Sequence, residues 1–203
     1  MLKNLLLASL FSSFTFLSAQ EEPKDLLSIP SPIEINGTEY YLSWSKQQSK
    51  TLSVQQFLPN DERIEDFTQL LTFSYFNKDI ELEYAVRSKM EGVQQMSAND
   101  KFAKVNLTES PDGLEFIIDY TLSSQPGEKT PYLEYNIQRF KKYDKDPKPL
   151  LILAYTKRIY GDQKIALRTF NKQRDHLLTA LIEYKIPTIA LASQEPKEES
   201  KKN

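Results

Sequence analysis

Positive charge and aromatic rings are interleaved along two neighbouring strand-like segments in the last third of the chain. The candidate binding residues among them are Arg139, Tyr155, Lys157, Arg158 and Tyr160. Cations beside flat rings can hold a carboxylated polysaccharide, a phosphate or an acidic partner through charge-assisted hydrogen bonds and stacking. The alternative is that these cations are solvated strand ends balanced by nearby acids. The pattern predicts a binding patch and leaves that structural alternative open.

Catalytic chemistry has few residues to use. His176 is the only histidine, and helical spacing puts it at the edge of a polar face, so we expect a solvated surface residue. The chain contains no Gly-x-Ser-x-Gly motif and no cysteine, which excludes disulfides, thiolate metal sites and a cysteine nucleophile. We predict no catalytic residue, no metal site and no cofactor. A hydrolase whose active site has no recognisable motif remains an alternative.

Two charged side chains in predicted secondary structure need partners. Glu134 is expected opposite Arg158 on the adjacent strand, a cross-strand pair worth a few tenths to about 1 kcal/mol. Arg174 falls within the apolar stripe of the last helix, where a guanidinium must either reach the edge of the helix or meet a buried acid. We expect Arg174 to reach the edge.

The first residues of the chain predict its destination. Lys3 precedes an uncharged apolar run from Leu5 to Leu17, and this pattern predicts a signal peptide over residues 1–19 with cleavage near Ala19-Gln20. The run is too short and too rich in Ser and Thr to span a bilayer. We therefore expect an exported bacterial protein, periplasmic or extracellular, with no membrane span after removal of the leader.

Charge limits the partners. The 26 basic and 28 acidic side chains give a net charge of −2, which provides no field for nucleic acid. We expect a protein or glycan partner in the cell envelope. A linker over residues 20–32 is predicted to lead into a single α+β domain over residues 33–190. Residues 191–203 are predicted to be a disordered charged tail, because the chain lacks large apolar side chains from Ser193 to its last residue.

Antiparallel strands are predicted at both ends of that domain. Asn36-Gly37 is typical of a type I′ hairpin turn. After it, Tyr40, Leu42 and Trp44 alternate with polar or smaller neighbours, which indicates a half-buried strand. Leu150 to Ala154 is apolar on both faces, so this segment should lie inside the sheet.

Three helices are predicted. Pro59-Asn60 should open a short one, with Ile64, Phe67 and Leu71 as its apolar stripe. In the second, over residues 79–96, one face carries the apolar side chains Leu82, Val86, Met90 and Val93. Asp162 is expected to cap a long closing helix that runs to Tyr184.

Together these elements predict an α+β fold: a single antiparallel sheet of about six or seven strands, largely a meander, packed with two main helices plus one short helix. Antiparallel strands, an intervening helix, a meander and a closing helix follow one another in an order that resembles the PsbP-like α+β architecture of small exported proteins. The resemblance covers most of residues 31–189 and implies an assembly factor or binding module rather than an enzyme. It carries over no site residue. A further alternative is a carrier of a lipid or another apolar ligand between the helices and the sheet.

Overall fold

The computed structural model describes residues 22–125 and 127–191, and in them the chain forms eight strands and two α-helices. The predicted signal peptide and nearly all of the predicted charged tail lie outside the described residues. The strands are β1 Ile33–Ile35, β2 Thr38–Ser49, β3 Leu52–Leu58, β4 Gln69–Phe76, β5 Lys104–Glu109, β6 Glu115–Ser123, β7 Tyr132–Lys142 and β8 Leu150–Tyr160. The helices are α1 Leu82–Met96 and α2 Gln163–Glu183.

All eight strands belong to one antiparallel sheet that curls into a half-barrel. Their spatial order is β1-β2-β3-β4-β8-β7-β6-β5, so two four-strand meanders meet where β4 pairs with β8. The predicted total of six or seven strands with three helices is wrong. One physical reason is the length of β1, whose three residues are too few to show a strand period of two.

The predicted short helix is replaced by turns between β3 and β4. The carboxylate of Glu62 accepts hydrogen bonds from the backbone N–H groups of Thr68, at 2.7 Å, and Gln69, at 3.0 Å. Such side-chain bonds to the backbone compete with helical hydrogen bonds. Phe67 is buried here, so the apolar residue that suggested a helical stripe instead anchors a turn.

The two helices pack on opposite faces of the sheet. On the inner face, α2 packs on β7 and β8 and buries Phe170, Leu177 and Leu181. As predicted, Asp162 caps it, accepting hydrogen bonds from Lys164 N at 2.8 Å and Ile165 N at 3.0 Å. No helix among the described residues has the length and apolar character needed to cross a membrane.

On the outer face, α1 packs over β5, β6 and β7. Leu82, Val86 and Val93 are its buried residues, which confirms the predicted apolar face. Because the sheet extends well beyond β7, the outer face of β2, β3 and β4 lies past this helix. The turn between β3 and β4 covers one end of that surface, where Leu58, Phe67 and Leu70 form a buried cluster. The rest of the surface is central to the site described below.

Two local predictions are confirmed and set the register. Asn36 and Gly37 have φ values of 54° and 71°, as a type I′ turn between β1 and β2 requires. β8 lies inside the sheet, between β4 and β7.

In the segment predicted as a linker, Leu27 and Ile29 are buried in the core, and Leu27 O accepts a hydrogen bond from Ala190 N at 3.1 Å.

Candidate binding surface

The alternation of side chains along β7 and β8 divides the predicted binding residues between the two faces of the sheet. Arg139, Tyr155 and Lys157 lie on the inner face with α2, whereas Arg158 and Tyr160 lie on the outer face. Neighbouring residues of a strand point in opposite directions, so residues 157 and 158 cannot share one surface. The structure therefore does not bring these side chains together into one patch.

Arg139 binds the end of α2. Its Nη1 donates to the carbonyl oxygens of Leu181 at 3.0 Å, Ile182 at 3.0 Å and Tyr184 at 2.9 Å, while its Nε pairs with Glu115. The last carbonyl groups of a helix lack partners within the helix and attract a cation. Arg139 is thus a cap for α2.

Tyr155 and Lys157 make polar contacts on the inner face. Tyr155 and Tyr40 both donate to Gln69 Oε1, at 2.9 and 3.0 Å, and Lys157 Nζ donates to Gln173 Oε1 on α2 at 3.2 Å. Burial raises the pKa of Tyr155 and lowers that of Lys157. These contacts join β4 and β8 to their neighbours and leave little for a ligand to bind.

Arg158 fastens the turn between β3 and β4 to the sheet. Its guanidinium carbon lies 3.9 Å from the ring centroid of Phe67 and 4.5 Å from that of Tyr132. Its Nε binds Glu134 Oε2 at 2.9 Å, which confirms the predicted cross-strand pair. Tyr160 donates to the carbonyl of Phe67 at 3.0 Å. Both residues therefore hold the same turn in place.

Arg174 meets a buried acid, so the expectation that it would reach the edge of the helix is wrong. Its Nη2 lies 2.6 Å from Asp119 Oδ1 and its Nε 2.9 Å from Oδ2. Asp119 also accepts from Tyr135 at 3.2 Å and from Asn106 at 3.1 Å. One signal was present in the sequence: Asp119 is an acid in the middle of β6, and every residue of that strand from Phe116 to Thr121 is buried.

His176 is exposed on α2, as predicted. It lines a cavity of about 420 Å³ together with Glu34, Asn36 and Glu183, between the β1–β2 turn and the end of the helix. Across residues 22–125 and 127–191, no three His, Cys, Asp or Glu side chains are grouped so that they could hold a metal ion.

A β-bulge at Ser43 turns Trp44 onto the outer face. Leu42 is paired with Phe57 and Trp44 with Gln56, so β2 contains one residue more than β3 over this stretch. Leu42 packs against the inner core, whereas Trp44 shares the outer face with Gln56 and is 37% exposed. The regular alternation predicted for Tyr40, Leu42 and Trp44 therefore fails at this point, because a bulge redirects the side chains that follow it.

Trp44 stands at one end of a row of uncharged side chains that crosses the sheet. Trp44 is paired with Gln56, Gln56 with Thr72, and Thr72 with Ala154. Strands lie about 4.8 Å apart, so this row from β2 to β8 spans roughly 14 Å. We call the following partly exposed residues the open face: Trp44, Gln56, Thr72, Ser74, Ala154 and Thr156.

Polar groups of the open face remain available. Thr156 Oγ1 donates to Asn136 Oδ1 at 2.8 Å. Within the described part of the chain, the side chains of Gln56, Thr72 and Ser74 make no hydrogen bond to another residue. Charged side chains lie at its borders: Lys46, Lys24 and Glu22 line a cavity with Trp44, and Arg158, paired with Glu134, follows Thr156 on β8. The surface is thus hydrogen-bonding and uncharged.

Sequence reasoning missed the open face, although one signal was present. In β4, the outward positions Thr72 and Ser74 alternate with the buried Leu71, Phe73 and Tyr75. This polar alternation marks a solvent-facing side of the sheet. The position of Trp44 beside it depends on the bulge, for which the sequence of β2 gives no comparable signal.

The fold defines the protein as an antiparallel half-barrel with one helix on each face. The chain belongs to the protein family whose model matches residues 27–186, and that match gives a family without an activity. No curated protein and no solved structure matches the chain. Family membership thus covers nearly all of the described fold, including the open face.

Proposed function

We propose that this protein is a non-catalytic binding module and that its open face contacts the ligand or partner. The observation that carries the proposal is the exposed Trp44 beside the polar side chains of Gln56, Thr72 and Ser74, which make no hydrogen bond to another described residue. All four residues lie on strands within a continuous sheet, which holds a site more rigidly than loops do. A rigid polar surface with one large aromatic group is suited to recognition.

The inner face is a poorer site. Side chains of α2 fill the space between this helix and the sheet, where Phe170, Leu177 and Leu181 are buried. A cavity between α2 and β6, lined by Asp119 and Arg174, holds only about 100 Å³. Pockets for small ligands usually start near 300 Å³. The cavity of about 420 Å³ beside His176 exceeds that size, but the charged Glu34 and Glu183 line it, so it does not suit an apolar ligand.

We propose that the protein is exported and binds its ligand or partner outside the cytoplasm. Support comes from Lys3 and the uncharged apolar run that follows it. The element order that resembles PsbP-like proteins supports a role as an envelope assembly factor or binding module, acting on a protein or glycan partner.

Site-specific photo-crosslinking in intact cells tests the open face. A photoreactive amino acid at Thr72 of the full-length chain should form an adduct with the ligand or partner. The matched control is the same group at Arg168, which is exposed on α2. Equal labelling from both positions, or none from Thr72 and from a second position at Ser74, would overturn the assignment.

Cell fractionation tests export separately. We expect the protein outside the cytoplasm, with an N-terminus near Gln20 when the mature chain is sequenced. Recovery of the chain from the cytoplasm with Met1 still attached would refute export while leaving the binding proposal to the crosslinking result.

A further inference from the structure

We infer that the open face binds an uncharged glycan chain lying across the strands. This inference rests on the proposed function, because it names the ligand class for the same surface. It is argued from the chemistry of the exposed groups, their charge and their spacing.

Trp44 supplies a stacking platform. Its indole is the largest aromatic group in the protein, it is 37% exposed, and the bulge at Ser43 holds it at the border of the polar row. Sugar rings present a face of C–H groups and an edge of hydroxyl groups. An amphipathic indole matches the C–H face, while polar neighbours match the edge.

The neighbouring groups match sugar hydroxyls in their bonding capacity. The Gln56 amide both donates and accepts, and so do the hydroxyls of Thr72 and Ser74. A sugar hydroxyl likewise does both, so each contact can be satisfied in either direction. This property suits a neutral polyol better than a carboxylate or phosphate, which only accepts.

Charge on the outer face argues against an anionic ligand. Arg158 is the nearest guanidinium along β8, and it is already bound to Glu134 and stacked between two rings. At the other border, Lys24 and Lys46 line a cavity with Trp44, together with the acidic Glu22. Lys89 lies 4.7 Å from the ring centroid of Tyr120, which binds Gln138, so the cations lie at the ends of the row and not along it. An anionic chain needs repeated cations at the spacing of its charges, and the row does not provide them.

The row is also long enough for a chain of sugars. Ala154 is paired with Gln138 on β7, so the row continues to a fifth strand and reaches roughly 19 Å from Trp44. Gln138 is held by its Nε2, which donates to Tyr120 Oη at 3.0 Å. The side chains of Thr72 and Ala154, in the middle of the row, are shorter than those of Trp44 and Gln138 at its ends. An extended oligosaccharide could therefore contact several strands at once.

Titration with neutral oligosaccharides tests the inference. The purified chain, with its leader removed, is mixed with cellohexaose, maltohexaose or fully acetylated chitohexaose. Trp44 is the only tryptophan, so its emission reports on this surface alone. We expect saturable binding of at least one of these glycans, with a blue shift of the emission, and no binding of the anionic hexamer of galacturonic acid.

Variants locate the contact by calorimetry. Trp44→Ala should weaken binding about tenfold or more, since stacking on an aromatic side chain is worth about that factor. Trp44→Phe should lose less, and Gln56→Ala should also weaken binding. Tyr84→Ala is the matched control, because Tyr84 is 69% exposed on α1, away from the open face. The Tyr84→Ala variant should bind glycan as the unaltered chain does. Thermal unfolding of each variant shows that the fold is retained.

The possible results separate the two proposals. No binding of any of the three glycans, preference for the anionic hexamer, or unchanged affinity in folded Trp44→Ala would overturn the glycan inference. If crosslinking at Thr72 then yields a protein adduct, the open face remains a binding surface and only the ligand class is wrong. If it yields no adduct either, both proposals fail.

Discussion

Arg174 on α2 donates two hydrogen bonds to the carboxylate of Asp119 on β6, from Nη2 to Oδ1 at 2.6 Å and from Nε to Oδ2 at 2.9 Å. Asp119 is only 2% exposed, whereas about one third of the Arg174 side chain reaches solvent. The pair ties the closing helix to a strand 55 residues earlier in the chain. Its two members should therefore respond differently to mutation.

We expect Arg174→Met to lower the free energy of unfolding by about 3 kcal/mol, because it leaves a buried carboxylate without its cation. Asp119→Asn should cost less, about 1 to 2 kcal/mol, because the partly exposed guanidinium can turn to water. Urea denaturation of both variants measures the difference. An equal or larger loss for Asp119→Asn would contradict this account of the pair.

The cap on α2 gives a second prediction. Arg139→Met should lower stability by about 2 kcal/mol, because the carbonyl groups of Leu181, Ile182 and Tyr184 lose a charged donor. Amide hydrogen exchange should rise in the last turn of the helix. Arg168→Met, at an exposed position of α2, is the control and should leave exchange unchanged. Exchange that rises evenly along α2 in Arg139→Met would argue against a local cap.

Glu115 makes stability depend on pH. Burial raises its pKa, but the hydrogen bonds and charges of Arg139 and Lys141 lower it more, so the net pKa falls below the ordinary value of 4.5. In the unfolded chain Glu115 takes up its proton first as the pH falls. Its contribution is therefore complete above pH 4.5 and is lost as the pH drops through the folded-state pKa.

Glu115→Gln tests this linkage. The variant should be less stable than the unaltered protein at about pH 7, and the gap should narrow towards about pH 3. Urea denaturation across that range provides the measurement. A gap that stays constant would mean that the charge of Glu115 does not contribute.

The bulge in β2 predicts an unusual tolerance to deletion. Removing Ser43 would leave Trp44 directly after Leu42, on the opposite face from it, in a regular ladder with β3. Trp44 should thus stay on the open face, and acrylamide should still quench its fluorescence. A protected, blue-shifted tryptophan in the deletion variant would show that the register of β2 is set in another way.

Gln55 offers a stabilising substitution. Its side chain is fully buried on β3, and neither Oε1 nor Nε2 has a hydrogen-bond partner among the described residues. Gln55→Met keeps the length of the side chain and removes the unpaired polar atoms, so we expect a gain of about 1 kcal/mol. Thermal or urea unfolding would measure it, and a loss of stability would reveal a partner for the amide.

Several structural details could be predicted because they depend on neighbours in the sequence. The Asn36-Gly37 turn, the Asp162 cap and the apolar face of α1 each involve only a few consecutive residues, and all are confirmed. The Glu134–Arg158 pair was also within reach, since two adjacent strands joined by a short turn fix their own register.

Other features depended on distant contacts. The turn after β3 formed because Glu62 binds backbone groups at the start of β4, and this overrides a weak helical pattern. Arg174 pairs with Asp119 only because α2 packs on β7, the strand next to β6, which brings the guanidinium within reach of the carboxylate. The predicted binding residues looked contiguous in sequence, but the alternation along β8 sends Lys157 and Arg158 to opposite faces.

The sequence by itself determined the local elements of this protein, because turn geometry, helix capping and apolar period are set by neighbouring residues. Tertiary structure decided which surfaces those elements present. Trp44 is the clearest example: its exposure depends on an extra residue in the ladder between β2 and β3, and such an insertion is fixed only when the two strands pair. The same pairing aligns the uncharged side chains into one row across the sheet.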